Sequence, residues 1–225
     1  MFRAIVFDMD GVIVDSEPLH IRAERMTLAP FNLDISDAEF HAYMGQTPKK
    51  LLEGMIEKYS LPTTIEAIYP VHAANLLKLY REDVEALPGA IELIQAFSAL
   101  GLPLGIASSS DMTLIRAVVD KFELGSTFSV LTSGQELERV KPSPDIYLLA
   151  AERLGVAPEA CCAIEDSTAG VRAAKAAGMM CIGFESPNSP GQNHDAADLV
   201  VNDLRQLSVE TFAALWQASE LAAAQ

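Results

Sequence analysis

An uncharged run, Ala4-Ile5-Val6-Phe7, ends abruptly on Asp8-Met9-Asp10-Gly11. Two β-branched residues in an all-apolar run read as a strand buried on both faces, the kind found inside a parallel sheet. Aspartate is a poor strand former, so Asp8 and Asp10 mark where the strand stops and a tight loop begins. Gly11 can take a positive φ and let the backbone turn sharply against a ligand. Acids at the carboxyl end of such a strand stand where open α/β sheets bind their ligands. Taken singly, the pair could equally be ordinary loop acids.

The rest of the chain supplies that strand with partners. From Glu17 to about Asp83 the strand signal disappears. Ser36-x-x-Glu39 has capping-box spacing for a short helix through Tyr43, and Thr47-Pro48 opens a helix to about Tyr59. A further helical stretch covers Thr64 to Arg81, with Pro70 expected to kink or divide it. This block, residues 17–84, reads as an inserted all-helical cap domain. Residues 1–16 and 85–225 read as an α/β, doubly wound parallel (Rossmann-like) core.

In the core, strands are expected at Leu104–Ala107, Phe128–Leu131, Cys162–Ile164, Met180–Gly183 and Leu199–Val201. Between them come helices Ala90–Leu100, Asp111–Phe122, Asp145–Leu154 and Thr168–Ala177, and a last one covers about Ser208–Leu221. Ile146, Leu149, Ala150 and Leu154 mark the buried stripe of the 145–154 helix. Such alternation means a sheet whose strands all point the same way. Asp8/Asp10, Ser108, Lys141 and Glu165/Asp166 each follow a strand, so a parallel sheet gathers them at one edge. Singly, Ser108–Ser110 could simply cap the next helix, Lys141 could be a solvated loop cation, and Glu165/Asp166 could serve a helix dipole.

Composition narrows the functions open to such a site. The formal net charge of −15 argues against nucleic acid as a partner, because phosphate neutralisation needs basic clusters. Apolar runs are short and interrupted by charge, so neither a membrane span nor a secretory signal is expected. Cys161, Cys162 and Cys181 lack zinc spacing and fit small packing residues of a cytoplasmic protein. A monomer is expected.

Together the motifs resemble the haloacid dehalogenase superfamily. The first matches as Asp8-Met9-Asp10-Gly11-Val12, the second as Ser108 after Gly105-Ile106-Ala107, the third as Val140-Lys141-Pro142, and the fourth as Glu165-Asp166-Ser167 before Ala169-Gly170. The resemblance implies that Asp8 is a nucleophile forming an aspartyl-phosphate, and that Asp10 is the general acid and then the general base. Dehalogenating members lack this second acid, so Asp10 favours phosphoryl transfer. It further implies Mg²⁺ held by Asp8, Asp10 (through its backbone carbonyl), Asp166 and Glu165, with phosphate gripped by Ser108, Ser109 and Lys141. His20, Gln46, Thr47, Lys49 and Lys50 are candidate substrate selectors in the cap.

Within the superfamily the chain is similar to β-phosphoglucomutase-like phosphatases. The mutase has a Lys just before its cap glycine and an Arg three residues after, where this chain has Met44 and Pro48. The expected activity is therefore a Mg²⁺-dependent phosphatase acting on small phosphorylated metabolites, sugar phosphates foremost. A sugar phosphomutase is the alternative, and a non-catalytic binding protein stands behind both.

Overall fold

The computed structural model describes residues 2–33, 35–36 and 47–223, with side chains through residue 217. The chain forms two compact units, one from residues 1–15 and 85–225, the other from 16–84. The expected 36–43 helix and Gln46 fall outside the described residues.

In the larger unit, a six-stranded parallel sheet has β1 (Ala4–Phe7) at its centre. Leu104–Ser108 (β4) pairs with one side of β1, and Cys161–Glu165 (β6) with the other. Phe128–Ser133 (β5) closes one edge; Met180–Phe184 (β7) and Leu199–Val201 (β8) extend the other. In register, Phe7 lies between Ile106 and Ile164, so the residues that follow these strands emerge along one edge. Every residue of β1, β4 and β6 is buried, the Glu165 that ends β6 included; the rest are uncharged runs, as a sheet covered on both faces requires.

The side chains alternate between two apolar layers. Ala4 and Val6 pack with Ala107, Ala163 and Tyr147. Ile5, on the opposite face, lines a small apolar cavity with Phe2, Phe212 and Phe97 of α4 (Ala90–Ala99). Phe212 stands edge-on to both Phe2 and Phe97, at centroid distances of 5.9 and 4.5 Å. Two short antiparallel strands, β2 (Val14–Asp15) and β3 (Glu85–Ala86), form a ribbon where the chain leaves for the helical unit and where it returns. The sequence reads residues 85–89 as linker, because two-residue strands carry no periodicity.

The smaller unit contains α1 (Glu17–Leu28), α2 (Pro48–Tyr59) and α3 (Ile65–Glu82). Pro70 lies inside α3 but does not divide it; it falls in the second turn, and the helix runs on to Glu82. Thr47 caps α2 by accepting from the Lys50 amide, which orders the orphan donors at that end. Leu28, Leu51, Leu52, Met55 and Ile68 make the unit's own apolar cluster.

This unit also buries two titratable groups with opposite tendencies. Burial, aided by Glu17, raises Glu24 to about 7, whereas burial, aided by His20, lowers His72 to about 4. Glu24 therefore takes up a proton on folding between its ordinary pKa of 4.5 and about 7, and its contribution is lost as pH rises through that window. His72 resists protonation between 6.5 and about 4, and its contribution is lost as pH falls through it. Solvent screening trims each effect to about 1–3 kcal/mol, and the two oppose one another near pH 5–6. Glu24→Gln should thus leave a protein whose stability falls on acidification, and His72→Gln one whose stability falls as pH rises. Urea unfolding of both variants from pH 4.5 to 7 checks this; parallel slopes would contradict it.

Candidate active site

The loop after β1 sets the site. Ile13 and Val14 amides both return to the Met9 carbonyl, at 2.9 and 3.1 Å, folding residues 9–14 into a tight turn. Gly11 has φ +81, and a Cβ there would overlap the Asp166 carboxylate. Glycine is needed twice over at that position, once for conformation and once for space. At Gly170, in α7 (Thr168–Ala176), space alone demands glycine, since a Cβ on it would overlap the Glu165 carboxylate.

Lys141 is the hub. It arrives on the loop before α6 (Asp145–Leu154), with its side chain only 8% exposed. Its ammonium donates to Asp8 Oδ1 at 2.5 Å, Glu165 Oε1 at 2.6 Å and the Ala107 carbonyl at 3.1 Å. These three acceptors lie at the carboxyl ends of the three central strands. Burial alone pushes Lys141 down, but the Asp8 and Glu165 carboxylates outweigh it and hold the ammonium protonated. Burial raises Asp8 well above the usual carboxylate range despite Lys141, and raises Asp166 to about 6 against the hydrogen bond from Ser189.

Glu165 is fixed from several sides. Tyr147 donates its hydroxyl to Oε1 at 2.8 Å, and Ser167 donates both amide and hydroxyl to Oε2 at 3.1 Å. Burial, then the Glu165 carboxylate, keeps the Tyr147 phenol protonated and able to donate. Tyr147 turns the buried stripe of α6 by one residue from the expected one: Ile146, Tyr147, Ala150 and Ala151 face inward, and Leu149 and Leu154 are half-buried.

Asp8, Glu165 and Asp166 can each turn an oxygen into a space less than 4.8 Å across. Three buried carboxylates with one ammonium among them leave an excess of negative charge, and hard oxygen donors suit a small divalent cation. The residues present therefore fit Mg²⁺. The Asp10 carboxylate is outside this cluster. Its Oδ2 accepts from Ser110 Oγ at 2.7 Å and Ser108 Oγ at 3.1 Å.

Ser108 Oγ also accepts the Ser110 amide at 3.0 Å, while Ser109 is exposed. The next helix, α5 (Met112–Lys121), is capped by Asp111 and not by a serine. Ser110 is a partner of Asp10 that the sequence reading missed. Ser133 at the end of β5 holds it in place, donating to its carbonyl at 2.7 Å.

The remaining candidates lie in the helical unit. His20 Nε2 is 3.3 Å from the Tyr80 hydroxyl, and Lys49 sits 4.0 Å from Glu53 along α2. Thr47 and Lys50 form the α2 cap, with both residues exposed.

A sequence profile of haloacid dehalogenase-like hydrolases matches residues 5–184, from the first strand through β7. The chain belongs to the haloacid dehalogenase-like hydrolase family. It is 33% identical over 211 residues to hexitol phosphatase B of Escherichia coli K12, covering 92% of this chain and 95% of that one. It is 32% identical over 213 residues to the bifunctional riboflavin kinase/FMN phosphatase of Arabidopsis thaliana, covering 92% of this chain; it spans only 54% of that relative's length. Among solved structures, CbbY from Rhodobacter sphaeroides in complex with phosphate aligns with a TM-score of 0.80 at 29% identity, covering 92% of this chain and 97% of that one. Among the described residues, no helix is long and apolar enough to cross a membrane.

Proposed function

We propose that this protein, a phosphatase of the haloacid dehalogenase-like family, is Mg²⁺-dependent and hydrolyses small phosphorylated metabolites, sugar phosphates foremost. The observation that carries the reading is Lys141, buried and bonded at once to Asp8 and Glu165 beside Asp166. A nucleophile, a cation and a metal-competent acid cluster meet there, which is what a phosphoryl group needs in order to move. The phosphatase named among the relatives for hexitols supports a sugar-phosphate substrate.

In the proposed reaction Asp8 attacks phosphorus. The Asp8 oxygen–phosphorus bond forms as the ester bond breaks, and Asp10 delivers a proton to the departing oxygen. Asp10 then takes a proton from water, which attacks the aspartyl-phosphate and frees inorganic phosphate and Asp8. Ser108 has one hydroxyl proton; turned from Asp10 to a phosphate oxygen, it leaves Ser110 on the carboxylate. Ser109, exposed in the same turn, is the proposed companion phosphate ligand. Lys141 offsets the charge of Asp8 and of the transferring group. Asp8, Asp166 and Glu165, with the Asp10 backbone carbonyl, would hold Mg²⁺, which when bound supplies positive charge to the phosphoryl oxygens.

The test is phosphate release from an aryl phosphate and a panel of sugar phosphates, with Mg²⁺ and with a chelator. Release that needs Mg²⁺ and is fastest on sugar phosphates is expected; no release from any of them would overturn the reading. Interconversion of glucose 1-phosphate and glucose 6-phosphate without net phosphate loss would select the mutase alternative.

A further inference from the structure

We infer that Ser189, supported by His194, is a positioning residue that sets the orientation of the Asp166 carboxylate for a divalent cation. The inference rests on the cation reading above.

The segment between β7 and β8 carries no regular structure, yet it returns repeatedly to the end of β6 and the start of α7. Ser189 Oγ donates to Asp166 Oδ2 at 2.6 Å. His194 Nε2 lies 2.7 Å from the Asp166 backbone carbonyl, and since a carbonyl only accepts, that nitrogen carries the proton. Gln192 Oε1 accepts the Thr168 amide at 2.9 Å, and the Asn193 amide donates to Thr168 Oγ1 at 2.7 Å. Asn188 ties the same segment to Asp15, 2.7 Å away. His194 is buried against Gly183, where an added Cβ would come within 2.9 Å of it.

The three acids of the cluster are not held alike. Asp8 and Glu165 both take a hydrogen bond from Lys141, and Glu165 takes others from Tyr147 and Ser167. Among the described residues, the Asp166 carboxylate receives a hydrogen bond from Ser189 alone. That oxygen is also the one pressed against Gly11. A short hydroxyl-to-carboxylate bond on one side and glycine on the other fix the plane of the carboxyl group. His194 fixes the backbone from which it projects. Without the hydroxyl, Asp166 would have to be ordered when the cation binds, and the cost would appear as lost affinity. Removing a hydrogen-bond partner of a metal ligand commonly weakens binding by roughly 10–100-fold.

The experiment compares Mg²⁺ binding by the whole protein and by Ser189→Ala, Ser189→Thr and Asn188→Ala. Titration calorimetry is the readout, with the Mg²⁺ dependence of the thermal midpoint as a second. Ser189→Ala should bind Mg²⁺ about tenfold more weakly, while Ser189→Thr, which keeps the hydroxyl, should bind like the parent. Asn188→Ala loosens the segment without touching Asp166 and should also bind like the parent. All variants should melt alike in a chelator. Parent-like affinity in Ser189→Ala would overturn the inference alone, and so would an equal loss in Asn188→Ala, which would make the segment merely structural. A parent protein that binds no Mg²⁺ would overturn it together with the cation reading.

Discussion

Asp8→Asn should abolish turnover and leave the chain folded. Asparagine keeps the volume of the side chain and an oxygen that can still accept from Lys141. It lacks the anionic oxygen that would bond to phosphorus. Loss of a nucleophile of this kind costs on the order of 10⁵–10⁶ in kcat. The fold should tolerate the change, because burial raises the pKa of Asp8 and the folded chain gains little from its charge. Lys141 also keeps its bond to Glu165. Phosphate release measured beside circular dichroism and thermal unfolding tests both halves, with a stability change expected within about 2 kcal/mol. Parent-like turnover would refute the assignment of Asp8 as nucleophile.

The second large effect concerns Lys141. Lys141→Met keeps most of the aliphatic bulk and removes an ammonium bonded to Asp8, Glu165 and the Ala107 carbonyl. Three buried acids would then face one another without it. Breaking a buried pair on one side costs roughly 3–5 kcal/mol, mostly the penalty of the charge left behind. The direction with pH follows from the acids. Burial already raises Asp8 and Asp166 against the pull of Lys141, and without that cation both favour the proton still more in the folded chain, so the deficit should be largest near pH 8 and shrink toward pH 5. Activity should be lost throughout. Denaturant unfolding in metal-free buffer at both pH values provides the measurement; a variant as stable as the parent at pH 8 would contradict the electrostatic account.

How much of this was legible in the sequence depended on whether a residue's role is written in spacing. Asp8, Ser108 and Glu165 are at the carboxyl ends of strands whose apolar runs are unmistakable, and a parallel sheet fixes where such ends go. The α/β class followed from the same alternation. Lys141 was legible only through its place in the motif series, since a lysine before a proline has no period of its own.

The residues missed are those that hold the acids. Ser110, Tyr147, Ser189 and His194 are bonded to Asp10, Glu165 and Asp166. A hydroxyl or ring that reaches a carboxylate from a loop or a different helix leaves no regular signature. Tyr147 did leave a trace, as an aromatic beside the expected stripe of α6. The β2–β3 ribbon was invisible for the opposite reason, being too short to alternate.

The central place of β1 in its sheet also orders the events of synthesis. Its hydrogen-bonding neighbours, β4 and β6, begin at Leu104 and Cys161, whereas the helical unit is complete by residue 84. A nascent chain leaving the ribosome can therefore finish its insert while its first strand is still unpaired. That strand, Ala-Ile-Val-Phe, lacks its first neighbour until Leu104–Ser108 has been made and its second until Cys161–Glu165 has. An apolar strand made before the helical unit thus waits on both sides for strands made after it.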